Sequence, residues 1–169
     1  MSDEQTTNGA DGTDATGGGK LSVLLVHHTP SPGVEALRQA MLEALSQEGL
    51  EDVSVMSVPA LRASAHDVLH ADAVLLLTPA NIGYMSGALK HFFDQIYYPC
   101  LEASPKLPYG AVIHGNNDTT GALRAIEKIA GAIGWERAQG AVEITGEVGH
   151  AERERAGELA AGVAAALLL

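Results

Sequence analysis

Hydroxyls and free backbone amides gathered just ahead of a helix make a cradle for an anion, and His27-His28-Thr29-Pro30-Ser31-Pro32-Gly33 has that make-up. The segment follows an apolar run, Leu21 to Val26, and precedes a stretch in which Val34, Leu37, Met41 and Leu45 recur at helical spacing. Thr29 and Ser31 would donate to a phosphate. An ordinary N-cap behind a proline-stiffened turn uses the same residues, so both readings stand. The spaced glycines of a P-loop and of a dinucleotide-binding turn are absent.

A second stretch, Thr78-Pro79-Ala80-Asn81-Ile82-Gly83-Tyr84-Met85-Ser86-Gly87, carries no charge. Apolar residues, a glycine and an aromatic suit a flat heterocycle that takes backbone hydrogen bonds on its edge and a side chain on its face. Tyr84 is the candidate to cover such a ring. A third stretch, His114-Gly115-Asn116-Asn117-Asp118-Thr119-Thr120-Gly121, reads by itself as a polar turn feeding a capped helix.

Other chemistry-bearing residues fit blander roles. His66 and His70 stand four apart, enough to share a helical face, but no third metal ligand follows in reach. Cys100 is the single cysteine, which excludes a disulfide framework and a cysteine cage for a metal, and it reads as an inert surface or interface thiol. Trp135 reads as a packing residue. Lys90, His91, Arg124 and Lys128 read as solvated helix positions, with the option that one of them attracts a 2′-phosphate.

The elements that must position these stretches alternate regularly. Apolar runs at Leu21 to Val26, Val53 to Val58, Ala73 to Leu77, Ala111 to His114 and Ala141 to Thr145 predict five strands. Helical patterns follow at about Gly33 to Gln47, ended by Gly49, at Leu61 to His70, and from Ser86 or Gly87 to Tyr97, before Pro99. Two more run from Thr119 to Ile133, with Asp118 as N-cap, and from Ala151 to Leu169. Strand runs that are apolar throughout imply burial on both faces, hence a parallel sheet with helices on each side. This is a three-layer α/β sandwich, in which ligands bind at the carboxyl ends of the strands. All three stretches above fall there.

Thr-Pro-x-x-x-Gly-x-Met-Ser-Gly-x-Leu-Lys-x-Phe-x-Asp, from Thr78 to Asp94, resembles the second flavin loop and following helix of the flavodoxin-like superfamily, particularly its NAD(P)H-dependent FMN reductases and quinone reductases. The resemblance implies a five-stranded sheet in the order 2-1-3-4-5. It implies FMN as cofactor, held by His28, Thr29, Ser31, Gly33 and Val34 around the phosphate. Pro79, Ala80, Asn81, Ile82, Gly83, Tyr84 and Met85 would lie along the ring. His114, Gly115, Asn116, Asn117, Asp118 and Gly121 would take its pyrimidine side. One departure stands out: two prolines remove amides from the first loop, and Val34 replaces a customary hydroxyl. FMN is therefore expected to bind weakly or as a dissociable substrate.

The implied activity is electron transfer from NAD(P)H through FMN to a quinone, a free flavin or another small acceptor. The flavin carries the chemistry, so no catalytic acid or base is assigned. Members of the family are often homodimers or homotetramers, for which Val163 to Leu169 offers an apolar surface. Two alternatives remain: an electron-carrying flavodoxin that docks protein partners, and a module of this fold that has lost flavin. The third stretch has no Phe, Tyr or Trp to bracket a ring, unlike the carriers.

Composition closes off other classes. Ten basic residues against 21 acidic give a net charge of -11, which repels nucleic acid and anionic lipid. Residues 1–19 hold Asp3, Glu4, Asp11 and Asp14, no basic residue and no Leu, Ile, Val or Phe, and are expected to form a disordered tail. The domain is then 20–169, still at -7 because seventeen acids face ten bases. The same charge opposes a phosphate unless local dipoles, or Lys20 or Arg38, prevail. With no apolar run of membrane-spanning length and no signal-peptide layout, a cytoplasmic protein is expected. A receiver domain would need acidic residues where His27, His28 and Thr78 stand, and a small tyrosine phosphatase would need an arginine six residues after its cysteine, which Cys100 lacks.

Overall fold

The computed structural model describes residues 19–169; the expected tail, apart from Gly19, lies outside them. Five strand positions form one sheet, in the spatial order that the resemblance implies. The strands β1 (Leu21–His27), β2 (Val53–Pro59), β3 (Ala73–Asn81) and β5 (Pro108–Gly115) line up as β2-β1-β3-β5, all parallel. Two short strands share the fifth position. β6 (Glu136–Arg137) pairs with the start of β5 and β7 (Val142–Thr145) with its end. β4 (Tyr84–Met85) is a small antiparallel return on β3.

Side chains alternate across the sheet, and each face is covered. Val23, Leu25, Leu75, Leu77 and Val112 pack against α1 (Pro32–Leu45) and α5 (His150–Ala166). Leu24, Val26, Val74, Leu76 and Ile113 pack against α2 (Ala65–Leu69), α3 (Gly87–Cys100) and α4 (Thr120–Ile133). Burial of both faces is why the runs are apolar without alternation.

Element ends differ from the sequence reading for local reasons. α1 starts at Pro32, because a proline suits the first helical turn, and is capped at Ser46 before Gly49 turns with φ +93°. α2 is confined to five residues behind a capping box between Ser64 and Asp67. α3 passes Pro99 into Cys100; Ile96 and Cys100, both fully buried, hold the last turn although Pro99 donates no hydrogen bond. Cys100 is therefore a core thiol and not a surface one, and burial pushes its pKa up. Trp135 packs between Phe93 and Tyr109, and its indole N–H donates to Ser104 Oγ at 3.0 Å.

The N-cap position of α4 is Thr119, not Asp118. The Thr119 hydroxyl turns away to donate to Glu143 Oε2 at 2.5 Å, while Asp118 Oδ1 accepts from the Thr120 amide at 3.0 Å. α5 ends at Ala166, and Val163 and Ala164 are core residues, so the expected apolar contact surface shrinks to the last residues, of which Leu168 and Leu169 are exposed. Among the described residues no helix is long and apolar enough to cross a membrane.

Candidate functional site

Parallel strands in register end on the same edge. His27 sits opposite Leu77, and Pro79 opposite His114, so the connections after β1, β3 and β5 share one rim. Residues 28–34, 79–85 and 114–121, which include every candidate site residue of the sequence reading, lie on this rim. The chain passes to opposite faces there, β1 leading into α1 on one side and β3 into α3 on the other. That divergence is the topological switch point, where an open α/β sheet leaves a crevice.

The second connection is a hairpin. β3 runs to Asn81, turns through Ile82 and Gly83, and returns with Tyr84 opposite Asn81 and Met85 opposite Ala80. The type I′ turn, one of the two that suit strand twist, needs positive φ at both central positions, and Ile82 and Gly83 have φ +49° and +71°. Gly83 takes this freely. Ile82, β-branched, is strained by about 1–3 kcal/mol, and its side chain is wholly exposed. Buried Thr78 anchors the base: its Oγ1 accepts from the Ser86 amide at 3.1 Å and donates to Pro79 O at 2.9 Å. Ser86 Oγ caps α3 by accepting from the Leu89 amide at 3.2 Å. From the third connection, Gly121 lies so close that a Cβ there would stand 1.9 Å from Gly83 O. Tyr84, 40% exposed, is the aromatic that the hairpin presents.

The first connection is looser. Ser31 caps α1, its Oγ accepting from the Val34 amide at 3.4 Å, and Ser31 O accepts from the Glu35 amide at 3.0 Å. The Thr29, Ser31 and Gly33 amides have no hydrogen-bond partner among the described residues, and Pro30 and Pro32 have no amide to give. His28 Nδ1 is buried without a partner. A side chain beyond the sequence candidates joins the loop: the Glu35 carboxylate stands in the first helical turn. Arg38 grips it through Nη2 at 2.5 Å and Nε at 2.9 Å, holding its pKa down to about 2. Arg38, which also donates to Ser57 Oγ at 3.4 Å, has its charge matched by Glu35. Lys20 precedes β1 and lies at the opposite edge of the sheet.

At the third connection, half-buried His114 donates from Nε2 to Gly146 O at 2.6 Å, and the Gly146 amide donates to Gly115 O at 2.9 Å. These bonds tie β5 to the turn after β7 and engage one His114 nitrogen. Asn116, Asn117 and Asp118 are exposed; the Thr120 amide and hydroxyl hold the Asp118 carboxyl below its usual range. Lys90 pairs with Asp94 at 2.5 Å, while Arg124 and Lys128 are exposed on α4. The His66 and His70 rings lie 4.1 Å apart, but no group of three metal-ligating side chains occurs among the described residues.

No family model and no curated protein matches the chain. Solved structures do. A flavodoxin from the Archaea superposes with a TM-score of 0.76 at 12% identity, covering 88% of this chain and 100% of that one. The chain carries the flavodoxin fold. The two-electron reduced flavodoxin of Megasphaera elsdenii follows at 0.68 and 20%, covering 82% and 98%. A WrbA-like flavodoxin from Agrobacterium tumefaciens matches at 0.68 and 18%, covering 86% and 96%.

Within this flavodoxin fold an open groove of about 560 Å³ also runs between α1 and α5, past Gln39, Glu43, Arg153 and Glu158. It is away from the three connections and mixes charges of both signs. The rim, with unpaired amides beside an uncharged hairpin, is the better candidate, because donors and apolar surface meet there at the switch point.

Proposed function

We propose that this protein binds FMN at the rim and passes electrons from NAD(P)H through it to a quinone, a free flavin or another small acceptor. The observation that carries the reading is the set of unpaired Thr29, Ser31 and Gly33 amides at the start of α1, on the same rim as the hairpin. Those donors suit a phosphate, and the buried, partnerless His28 Nδ1 marks a place for a further polar contact. When bound, FMN supplies the hydride acceptance and electron release.

The chain's own residues bind and orient. Thr29, Ser31 and Gly33 hold the phosphate, with His28 bordering it, while Val34, its side chain in the core and its amide on Ser31 Oγ, stands behind the loop. Pro79 to Met85 offer backbone groups to the ring edge, and Tyr84 a face. Asn116, Asn117 and Asp118 supply polar groups for the pyrimidine side, while His114, Gly115 and Gly121 keep their backbone in place. The solved two-electron reduced state of the Megasphaera neighbour supports a redox role for this fold.

A carrier reading draws on the acidic surface, which suits basic protein partners. The uncovered third connection favours the reductase, since it leaves room for a nicotinamide or quinone to stack. Titration with FMN should quench its fluorescence along a saturable isotherm, and flavin absorbance should survive desalting only where binding is tight; a titration that shows no binding defeats the proposal. NADPH or NADH oxidation with a quinone then separates reductase from carrier. Ser31→Glu adds negative charge to the cradle and should abolish FMN retention, as read by fluorescence titration.

A further inference from the structure

Beneath the first connection lies a polar cluster that binding alone does not require. His27 ends β1 and is only 8% exposed. Its Nδ1 stands 3.4 Å from Thr29 Oγ1, and Nε2 has no hydrogen-bond partner among the described residues. Glu35, clamped by Arg38, opens α1 beside this pair.

We infer that His27 is a positioning residue that takes up a proton when a phosphate monoester enters the first connection, releasing the Thr29 hydroxyl toward the anion. The inference rests on the FMN reading and deepens it. A phosphate arriving beside Glu35 meets a carboxylate whose charge is already matched by Arg38, so the added negative charge lacks a counter-charge. The imidazole is the adjustable group nearby. Once protonated, its Nδ1–H donates to Thr29 Oγ1, which can then turn its own hydrogen to the phosphate.

The groups facing His27 are few. Arg38 and Glu35 come from α1 and His28 from its own strand end; β2 and β3 contribute no titratable side chain, and from the connection before α5 it is Val148 that packs on Gly33. Burial, then Arg38, holds the His27 pKa below its ordinary value, with Glu35 opposing, so the ring is neutral before the anion arrives. By linkage, an anion that favours the protonated ring binds more tightly as pH falls. A cradle made of dipoles alone has the opposite slope, because a phosphate monoester loses a charge below about pH 6.

The test is a fluorescence titration of the full chain with FMN and, separately, riboflavin between about pH 8 and about pH 6. Affinity for FMN should rise about three- to tenfold on acidification, riboflavin affinity should stay level, and His27→Gln should remove the rise. A flat or falling FMN profile, an equal rise with riboflavin, or a rise that survives in His27→Gln overturns the inference and leaves FMN binding standing. No FMN binding at any pH overturns both. If His27→Gln fails to fold, NMR titration of the His27 ring in the native chain decides: its pKa must rise with FMN and not with riboflavin.

Discussion

The second and first connections meet the same rim in opposite ways. The hairpin is fixed from several sides, by the Thr78 hydroxyl below, the Ser86 cap behind and Gly121 pressed against Gly83, and it is fixed tightly enough to hold an isoleucine in a left-handed conformation. The first connection is pinned only near its ends, by the His28 amide on Leu77 O and by Ser31 at the start of α1, and is stiffened by two prolines, with three amides left unpaired. Backbone strain persists only where the surroundings over-determine it, and unpaired donors persist where a ligand or water completes them. The fold therefore prebuilds the surface proposed for the flat ring and leaves the proposed phosphate loop to be finished by what binds.

The contrast can be broken at Gly121. Gly121→Val drives a side chain into Gly83 O, and the fold should lose about 3 kcal/mol or more in urea unfolding, with the hairpin displaced. Unchanged stability would mean that the hairpin is not clamped. Ile82→Gly relieves the strained turn and should raise stability by about 1 kcal/mol in the same assay, while FMN affinity falls as the turn loosens. A stability loss would show that the exposed isoleucine makes a contact that matters.

Glu35→Gln touches the first connection and should change stability least. Glu35 is about a third exposed and Arg38 about a quarter, so the pair contributes under about 1 kcal/mol. Its sign is definite. The folded-state pKa of about 2 lies below the ordinary 4.5, so the contribution is present above about pH 4.5 and fades as pH falls toward 2. The variant should show a shallower acid slope in thermal melts, and several-fold tighter FMN because a like charge leaves the cradle.

The layers were legible because doubly buried strands read as unbroken apolar runs, as in Val23 to Val26, whereas the strand order came only with the resemblance carried by Thr78 to Asp94. The hairpin was not, since Ile-Gly carries only half the signal of a turn with two positive φ values and Asn-Gly would have carried both. β6 spans two residues and leaves no periodicity to read. The Glu35–Arg38 clamp was within reach, because a carboxylate three residues before an arginine shares its helical face. The Thr119–Glu143 bond joins residues distant in sequence, and nothing local in either announces it.

The fifth strand position is filled in two pieces, with Ala138 to Ala141 between them. A newcomer seeking to extend the sheet on that flank meets at most four consecutive residues of ladder, too little to template edge-to-edge growth. The opposite flank, β2, is longer but closes on Pro59. Self-association of this protein, where it occurs, is thereby steered toward its helices and away from fibre-like stacking.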